Sequence, residues 1–317
     1  MGKLMFSGGR LLVLTGVTGK KSGGAFAEYL AKYWTNIRKD FPCGIRVICR
    51  DISDTKRLSE TLPEAKICRG SFEDSDFLAR AMKDSDTVFH IAGIQKSRAV
   101  VNAAVRAKVR RLILVHTTGI YSKYKKAGEE YRRIDFDVTE RCEAHGISLT
   151  ILRPTMIYGN RFDKNVVRFI RMVDTLPVMP IVNDARYALQ PVHYKDLGKA
   201  YYDVLTNEAA TANKNYDLSG GEVIELREML EVIGENLGKK VRFASCPYPI
   251  AYSGAWLIYF LTFGKADFRE KVQRLCEPRA YSHGDAARDF GYAPRTFRDG
   301  IVNEVAEYKN AAAYLSV

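Results

Sequence analysis

The feature that most constrains this chain is a hydrophobic run that ends in a glycine-rich turn and continues directly into a helical pattern. Leu11 to Leu14 form the run, Thr15 to Gly24 the turn, and Ala25 to Tyr33 the helical stretch. Glycines in such a turn allow backbone N–H groups and the start of the helix to approach the phosphates of a dinucleotide closely. Because a glycine pattern alone is weak support, its meaning depends on the fold around it.

Short hydrophobic runs alternate with helix-length segments through the first half of the chain. The later runs are Ile45 to Cys49, Ala65 to Cys68, Thr87 to Ile91, Leu112 to His116 and Leu149 to Leu152. Helical stretches lie between them at Asp76 to Ala81, Arg98 to Ala107 and Asp135 to Ala144. This alternation predicts an α/β fold, namely a Rossmann-like, doubly wound parallel sheet with helices on both faces. The glycine turn then opens the first crossover, where such a fold binds a dinucleotide.

The regular alternation ends after Pro154. Helical stretches follow at Asn165 to Val173, Asp196 to Thr206 and Leu226 to Leu237. We expect an NAD(P)-binding domain over residues 1–160 and a smaller, mostly helical C-terminal lobe for substrate over residues 161–317. Residues 186–220 are expected to return to the Rossmann sheet. A ligand should lie in the cleft at the carboxyl ends of the strands.

Charge and cysteine usage narrow the class of protein further. The 317 residues carry a formal net charge of +12, but basic and acidic residues are interspersed and no nucleic-acid-binding motif accompanies them. We therefore expect a small-molecule substrate, an anionic one being favoured, and no nucleic acid. The six cysteines are scattered without a C-x-x-C pair or a nearby histidine, which predicts no metal site and a reducing, cytoplasmic location. The first residues lack the layout of a signal peptide, which agrees with that location.

One uncharged segment, Pro247 to Gly264, is about as long as the shortest membrane span. Two prolines and Gly254 interrupt it, and only Ala255 to Phe263 is densely apolar. We expect a buried or cleft-lining helix here, in a soluble protein. The alternative is a weak contact of Ala255 to Phe263 with a membrane surface or another subunit.

The residue after the second predicted strand bears on the choice of cofactor. Arg50 stands where an acidic residue would receive the ribose 2′-hydroxyl of NAD. An arginine suits the 2′-phosphate of NADP instead, because its planar guanidinium offers several donors. Lys20 and Lys21 in the glycine turn favour the same cofactor. NADP(H) is therefore favoured over NAD(H), although Asp51 beside Arg50 leaves NAD open.

Several motifs occur in a characteristic order along the chain. They are T-G-x-x-G at 15–19, D-x-V-F-H-x-A-G at 86–93, R-P-x-x-x-Y-G at 153–159, V-H-Y-K-D-L at 192–197, Y-D-L-S-G-G at 216–221 and F-G-Y-A-P at 290–294. Together they resemble the extended short-chain dehydrogenase/reductase superfamily, in its NAD-dependent epimerase/dehydratase branch, with features of its atypical members. The resemblance covers most of the chain.

Enzymes of that superfamily use a Tyr-x-x-x-Lys pair and a Ser or Thr, the lysine lowering the tyrosine pKa. The resemblance implies Thr117 as the hydroxyl partner and leaves two tyrosines for proton transfer. Tyr121 has Lys125 four residues later, but it occupies the position of a tyrosine in the loop after the strand. Tyr131 is the alternative in the expected position, but Asp135 stands where the lysine should be.

The superfamily pattern together with the placement of basic residues gives the remaining site residues. The cofactor-binding set is Gly16, Thr18, Gly19, Lys20, Lys21, Gly23, Arg50, Ser71, Phe72, Ala92, Gly93, Pro154 and Thr155. Arg168 and Arg279 are the expected substrate contacts. The resemblance implies an NAD(P)-dependent oxidoreductase, epimerase or dehydratase acting on a carbonyl or secondary alcohol, with a nucleotide sugar as one candidate substrate and a homodimer as the assembly. The alternative is a non-catalytic NADP(H)-binding sensor or assembly subunit whose tyrosine–lysine site has degraded.

Overall fold

Strands and helices follow the predicted hydrophobic pattern closely in the computed structural model, which describes residues 9–315 and the side chains as far as residue 311. The strands in this range are β1 (Leu12–Thr15), β2 (Ile45–Cys49), β3 (Lys66–Arg69), β4 (Thr87–His90), β5 (Arg111–Val115), β6 (Ser148–Pro154), β7 (Ile157–Tyr158), β8 (Met179–Val182), β9 (Ala188–Leu189), β10 (Val192–His193), β11 (Asn215–Leu218), β12 (Ile224–Glu225) and β13 (Phe243–Cys246). The helices are α1 (Ser22–Lys32), α2 (Trp34–Asp40), α3 (Lys56–Thr61), α4 (Ser75–Met82), α5 (Ser97–Arg106), α6 (Gly128–Ala144), α7 (Val166–Thr175), α8 (Tyr194–Thr206), α9 (Glu208–Thr211), α10 (Leu226–Leu237), α11 (Tyr248–Leu261), α12 (Arg269–Leu275), α13 (Gly284–Phe290) and α14 (Phe297–Leu315).

The hydrophobic runs of the first half form a seven-stranded parallel sheet in the order β11-β6-β5-β4-β1-β2-β3. Strands β1, β4 and β5 are buried along their whole length, which explains why their sequences are mostly hydrophobic, with polar side chains at the strand ends. The strand order reverses between β1 and β4, and a ligand-binding crevice is expected outside the carboxyl ends at such a point. The predicted Rossmann-like fold is confirmed.

Helices cover both faces of this sheet. On one face, Phe26 of α1 and Tyr201 of α8 pack against Phe89 of β4, with ring centres 4.8 and 5.6 Å from that of Phe89. On the other face, α4, α5 and α6 bury a separate group of side chains that includes Leu78 and Val138. Each face therefore has its own hydrophobic core, and the sheet lies between them.

A third core builds the smaller lobe, which is mostly helical as predicted. It buries Ile170 of α7, Leu230 of α10 and Ile301 of α14 against one another. Helix α10 spans the residues predicted from its hydrophobic periodicity. Strand β11 belongs to the second half of the sequence, but it pairs with β6 of the main sheet.

Helix α6 begins earlier than its hydrophobic pattern indicates, at Gly128 instead of Asp135. The added first turn is polar, so it carries no hydrophobic periodicity. Its two acidic residues, Glu129 and Glu130, suit the positive end of the helix dipole. The longer helix places Tyr131 and Asp135 one turn apart on the same face.

The expectation of a buried helix in the uncharged segment is wrong. Helix α11 forms there, but only Ala255 within it is buried. Phe260 is 77% exposed, Leu261 65% and, just after the helix, Phe263 94%. The helix packs mainly against α12 and lies outside the three cores, and hydropathy alone does not distinguish this position from a buried one. Within residues 9–315, no helix has the length and apolar character needed to cross a membrane.

Candidate cofactor and substrate site

The glycine turn between β1 and α1 is closely packed. Gly16 has a φ of +78°, which favours glycine, and a Cβ there would lie 2.7 Å from the backbone nitrogen of Ala92. A Cβ on Gly23 would lie 2.2 Å from the carbonyl oxygen of Gly16. These two glycines therefore bring the first turn of α1 against the end of β1.

Gly19 differs from its neighbours because its missing side chain leaves open space. The nearest atom to a Cβ built there is the Gly16 carbonyl oxygen, 3.9 Å away. Gly19 borders a groove of about 330 Å³, lined by Gly16, Thr18, Gly19, Ile48, Cys49, Arg50, Ser53, Phe72, Ala92 and Lys96. An open glycine, a helix N-terminus and cationic side chains in one groove fit a dinucleotide phosphate.

Two cationic residues, Arg50 and Lys96, line this groove, and none of its lining residues is acidic. Lys96 is paired with the carboxylate of Glu73, which lies outside the lining, whereas Arg50 makes no ion pair with any residue of the described chain. The loop after β2 is held by Arg69, whose guanidinium donates to the carbonyl oxygens of Asp51 and Ser53, each at 3.0 Å. Arg50 therefore lies at the end of β2 next to a loop that Arg69 supports.

The two lysines of the glycine turn lie in different places. The Lys20 ammonium lies 4.5 Å from the centre of the Phe162 ring and lines neither the groove nor the cavity described below. Lys21 lines that cavity together with Thr155. Neither lysine is beside Arg50 in the groove.

Five other residues of the expected cofactor set lie outside the groove, namely Gly23, Ser71, Gly93, Pro154 and Thr155. The Ser71 side chain is exposed and hydrogen-bonded to Glu73. The Gly93 carbonyl faces His90 Nε2 at 3.0 Å, and the Pro154 carbonyl accepts a hydrogen bond from the Thr118 hydroxyl at 3.3 Å. Gly93 and Pro154 therefore support the strand ends without lining the groove.

A second cavity, also of about 330 Å³, lies at the carboxyl ends of β5 and β6. Its lining residues are Lys21, Thr117, Thr118, Gly119, Ser122, Lys125, Thr155, Met156, Ile157, Asn165, Leu189, Gln190, Arg274, Arg279 and Tyr281. Four of these are cationic and none is acidic. We call this the cationic cavity, and it lies beside the glycine turn that borders the groove.

Thr117 and Lys125 meet at one wall of the cationic cavity. The Thr117 hydroxyl oxygen accepts a hydrogen bond from the Gly119 nitrogen at 3.0 Å. A Cβ on Gly119 would lie 2.7 Å from Lys125 Nζ and 3.2 Å from Thr117 Oγ1, so both side chains converge on this glycine. Burial lowers the pKa of Lys125, and the charges of Arg274 and Arg279 lower it further.

The two candidate tyrosines have different surroundings. Lys125 Nζ lies 4.5 Å from the centre of the Tyr131 ring, and the Tyr131 hydroxyl accepts a hydrogen bond from Gln95 at 3.1 Å. Tyr131 is thus beside a lysine of the cationic cavity, although it does not itself line that cavity. The Tyr121 hydroxyl instead donates to Asp217 at 3.1 Å and borders a separate cavity. Burial and the Asp217 carboxylate raise the pKa of Tyr121 to about 12.

Tyr121 and Lys125, one of the two predicted catalytic combinations, have different partners in the structure. The turn at residues 118–121 directs the tyrosine towards Asp217 and the lysine towards the cationic cavity. Lys125 lies beside Tyr131 instead.

Asp135, at the superfamily's lysine position, belongs to a buried polar network. Its carboxylate lies 2.6 Å from His116 Nδ1 and pairs with Arg153, and His116 Nε2 lies 3.0 Å from the Ser97 hydroxyl. Burial opposes ionisation of Asp135, but the His116 hydrogen bond and the Arg153 charge outweigh it and lower its pKa. Burial lowers the pKa of His116 despite the carboxylate. Asp135 therefore makes a hydrogen bond with His116 and an ion pair with Arg153, and a lysine at this position could make neither.

The two arginines assigned to substrate separate in the structure. Arg279 lines the cationic cavity, and its buried Nε has no hydrogen-bond partner. Arg274 on α12 also lines the cavity with a buried, unpartnered Nε. Arg168 is exposed on α7 and does not line the cavity. The cationic cavity is therefore lined by Arg279 and Arg274, and Arg168 is not part of it.

Glu277 connects the two halves of the site. It is buried, and its carboxylate accepts hydrogen bonds from the Ser122 hydroxyl and the Lys123 nitrogen, each at 2.7 Å. Ser122 Oγ in turn accepts a hydrogen bond from the Lys125 nitrogen at 3.1 Å. The loop that carries Lys125 is therefore held by a residue of the smaller lobe.

Comparison with known proteins decides the family. The profile of the NmrA-like family matches residues 9–257, well over half of the chain. The chain belongs to the NmrA-like family. The predicted resemblance to the extended short-chain dehydrogenase/reductase superfamily, including its atypical features, is confirmed by this match and by the fold.

Solved structures share the fold of this NmrA-like chain. The dTDP-glucose 4,6-dehydratase DesIV from Streptomyces venezuelae, determined with NAD and TYD bound, has a TM-score of 0.71 and 19% identity, over 96% of this chain and 98% of its own. The UDP-glucose 4-epimerase from Thermotoga maritima, determined with UDP-glucose, has a TM-score of 0.68 and 16% identity, over 95% of this chain and 99% of its own.

A curated relative matches part of the sequence. It is a 2-alkyl-3-oxoalkanoate reductase from Stenotrophomonas maltophilia (strain K279a), 26% identical over 158 residues, which are 47% of this chain and 48% of the reductase. The NmrA-like chain therefore spans about half the length of the curated relative it matches.

Sequence reasoning missed several lining residues of this NmrA-like site. Ser53 and Lys96 follow the ends of β2 and β4 by a few residues, so their position after strands was a usable signal. Arg274 and Tyr281 come from the smaller lobe, and nothing local in the sequence indicates that they reach the strand ends.

Proposed function

We propose that this NmrA-like chain is an NADP(H)-dependent oxidoreductase that acts on a carbonyl group or secondary alcohol of a small anionic substrate. The observation that carries the proposal is the cationic cavity, which lies at the strand carboxyl ends beside the glycine turn. Lys21, Lys125, Arg274 and Arg279 line it, and no acidic residue of the described chain does. Such a cavity favours a negatively charged ligand.

The cofactor would occupy the groove beside Gly19. Backbone N–H groups at the start of α1 would bind its pyrophosphate, and Arg50 with Lys96 would bind a 2′-phosphate. A nicotinamide bound at the strand ends supplies or accepts a hydride. Phe72 and Ile48 line the groove and offer an apolar wall.

The substrate anion would be bound by Arg274 and Arg279. A buried charged donor without an acceptor costs about 1 to 3 kcal/mol, and a carboxylate or phosphate would supply the missing acceptor. The relatives' names fit this chemistry, since a 3-oxoalkanoate carries a carboxylate and the sugar nucleotides carry phosphates. A negatively charged group next to a carbonyl or alcohol is the feature common to both classes.

Proton exchange with the substrate oxygen would use Tyr131, with Thr117 as a second hydroxyl. In the superfamily, the lysine that supplies positive charge stands at the position that Asp135 holds in this chain. Lys125, which lies beside the Tyr131 ring, would supply that charge instead. A cation beside the ring favours the transient negative charge on the phenol oxygen during proton transfer.

The non-catalytic alternative is favoured by one observation, the replacement of that lysine by Asp135. In this alternative the chain binds NADP(H) as a sensor or assembly subunit and turns over no substrate. Tight cofactor binding without turnover of any substrate class would support it.

Cofactor binding is tested by calorimetry with NADPH and NADH on the wild type and Gly19→Ala. The added methyl meets no protein atom closer than 3.9 Å, so the variant should fold and yet lose NADPH affinity, because the methyl occupies the space of the pyrophosphate. Gly254→Ala is the matched control, since a Cβ there meets nothing within 4 Å and lies outside the groove. Arg50→Ser should weaken NADPH binding about tenfold or more and leave NADH binding unchanged.

Turnover is tested with 2-alkyl-3-oxoalkanoates and with UDP- and dTDP-sugars, following NADPH absorbance and product formation. Reduction of the first class alone assigns a carboxylate substrate, and turnover of the second class alone assigns a phosphate-bearing one. If neither Gly19→Ala nor Arg50→Ser changes NADPH affinity, or if the wild type binds neither cofactor, the proposal is wrong.

A further inference from the structure

Helix α11 and the turn after it expose a large hydrophobic surface. The side chains at least 40% exposed are Ile250, Trp256, Leu257, Ile258, Phe260, Leu261 and Phe263. We call this set the apolar patch. A helix that is apolar on all sides is normally buried, and contiguous exposed patches of this kind mark contact sites.

The charges left free at the margin of the apolar patch are positive. Lys265 and Lys271 are exposed. The nearby carboxylates are engaged, because Asp267 pairs with Lys126 at 2.8 Å and Arg269 at 2.9 Å, and Glu270 lies 3.9 Å from Arg274. An acidic surface would complement this margin.

Helix α11 also carries aromatic side chains with polar groups, and a basic side chain lies over two of them. The Arg269 guanidinium lies 4.2 Å from the Trp256 ring centre and 3.9 Å from that of Tyr259. Tyr248 and Tyr252 stack with ring centres 5.6 Å apart on the same helix. Tryptophan, tyrosine and basic residues around an apolar surface are typical of the boundary between lipid and water.

We propose that the apolar patch docks on an anionic lipid surface, with α11 lying in the plane of the headgroups. The helix has 14 residues and is therefore about 21 Å long, too short to cross a bilayer. A second copy of this chain is a poorer occupant, because a twofold interface on this patch would bring two positively charged margins together. Anionic headgroups would neutralise Lys265 and Lys271 instead.

Vesicle sedimentation with the full chain tests the apolar part of this proposal. Vesicles of phosphatidylcholine mixed with phosphatidylglycerol should bind the wild type, and Phe260→Ser/Phe263→Ser should weaken binding at least about tenfold, since two exposed aromatic side chains lose their apolar contact. Phe136→Ser is the matched control, because Phe136 is a similarly exposed phenylalanine on α6. NADPH binding should be unchanged in all three proteins, so a failure here is distinct from a failure of the cofactor site.

The contribution of the basic margin to vesicle binding is tested with Lys265→Gln and Lys271→Gln. Each should lower affinity for the phosphatidylglycerol vesicles about fivefold, whereas Lys39→Gln on α2 should have no effect. Equal binding of wild type and the double serine variant would overturn the proposal, as would equal binding to pure phosphatidylcholine. A third outcome would also overturn it: the wild type forms a dimer, the double serine variant is monomeric, and the wild type binds no vesicles.

Discussion

The ammonium group of Lys125 lies 4.5 Å from the centre of the Tyr131 ring, although the two residues do not form the superfamily's sequence pair. If Lys125 replaces the missing lysine, Lys125→Met should lower kcat about tenfold or more while NADPH affinity is retained. Lys125→Arg should restore part of the rate. Lys126→Met is the control, because Lys126 is mostly exposed and pairs with Asp267. Steady-state kinetics and calorimetry give the two readouts, and an unchanged kcat in Lys125→Met would exclude this role.

The choice between the two tyrosines is tested by removing each hydroxyl. Tyr131→Phe should lower kcat about a hundredfold or more with cofactor binding intact, as expected for loss of a general acid–base group. Tyr121→Phe should have a small effect, because its hydroxyl donates to Asp217, and burial with that carboxylate raises the pKa of Tyr121 to about 12 and so opposes loss of its proton. The opposite ranking of the two variants in turnover assays would reassign the proton-transfer role to Tyr121.

The substrate's anionic group is tested at Arg279. Arg279→Met should raise KM for the substrate about tenfold or more, because a charge-assisted hydrogen bond is lost, and should leave NADPH affinity unchanged. Arg168→Met should leave KM unchanged, since Arg168 is exposed on α7 outside the cavity. Thermal unfolding of both variants checks that the effect on KM is not one of folding. Equal KM values for Arg279→Met and the wild type would remove Arg279 from the substrate site.

Restoring the superfamily's lysine is expected to harm this chain. Asp135→Lys would place a second cation beside Arg153 and remove the acceptor of His116, which should cost about 3 to 5 kcal/mol of unfolding free energy. Asp137→Lys on the same helix should cost about 1 kcal/mol or less, because that carboxylate is half exposed in a surface pair with Arg98. Urea unfolding experiments measure the free energy of unfolding of both variants. A stable Asp135→Lys variant with increased turnover would show that the network is dispensable.

Stability should fall steadily as pH rises from mildly acidic values into the alkaline range, because of Glu304. This residue is fully buried, and burial together with the neighbouring Asp163 carboxylate raises the pKa of Glu304 to about 10, against an ordinary value of 4.5. The folded chain therefore keeps the Glu304 proton where the unfolded chain has released it, so the free energy of unfolding decreases as pH rises between these values.

Two matched variants isolate this effect. Glu304→Gln keeps a neutral group of the same shape and should flatten the decline with rising pH in urea unfolding experiments. Glu60→Gln, at an exposed residue of α3 whose charge does not act on Glu304, should leave the decline unchanged. Parallel pH profiles for wild type and Glu304→Gln would show that another group causes any decline.

What the sequence predicted correctly depends on local patterns. The glycine turn and the strands β1, β2, β4 and β5 were predictable because a strand buried on both faces must be mostly hydrophobic. The groove residues Gly16, Gly19 and Arg50 follow from their places in those elements.

What the sequence did not predict depends on contacts between distant segments. The direction of Tyr121 is set by Asp217 and Tyr281, about a hundred or more positions further along the chain. Arg274 reaches the cationic cavity through the placement of α12, and α11 stays exposed because no core lies beside it. Neither hydropathy nor motif spacing encodes such placements.

Because Glu277 holds the loop that carries Lys125, the two halves of this chain are not interchangeable modules. A fragment that ended near residue 160 would keep the glycine turn but leave the Ser122 hydroxyl and the Lys123 amide without their carboxylate. Recombination that exchanged the second half between relatives would accordingly disturb the position of Lys125 as well as the lining of the cationic cavity.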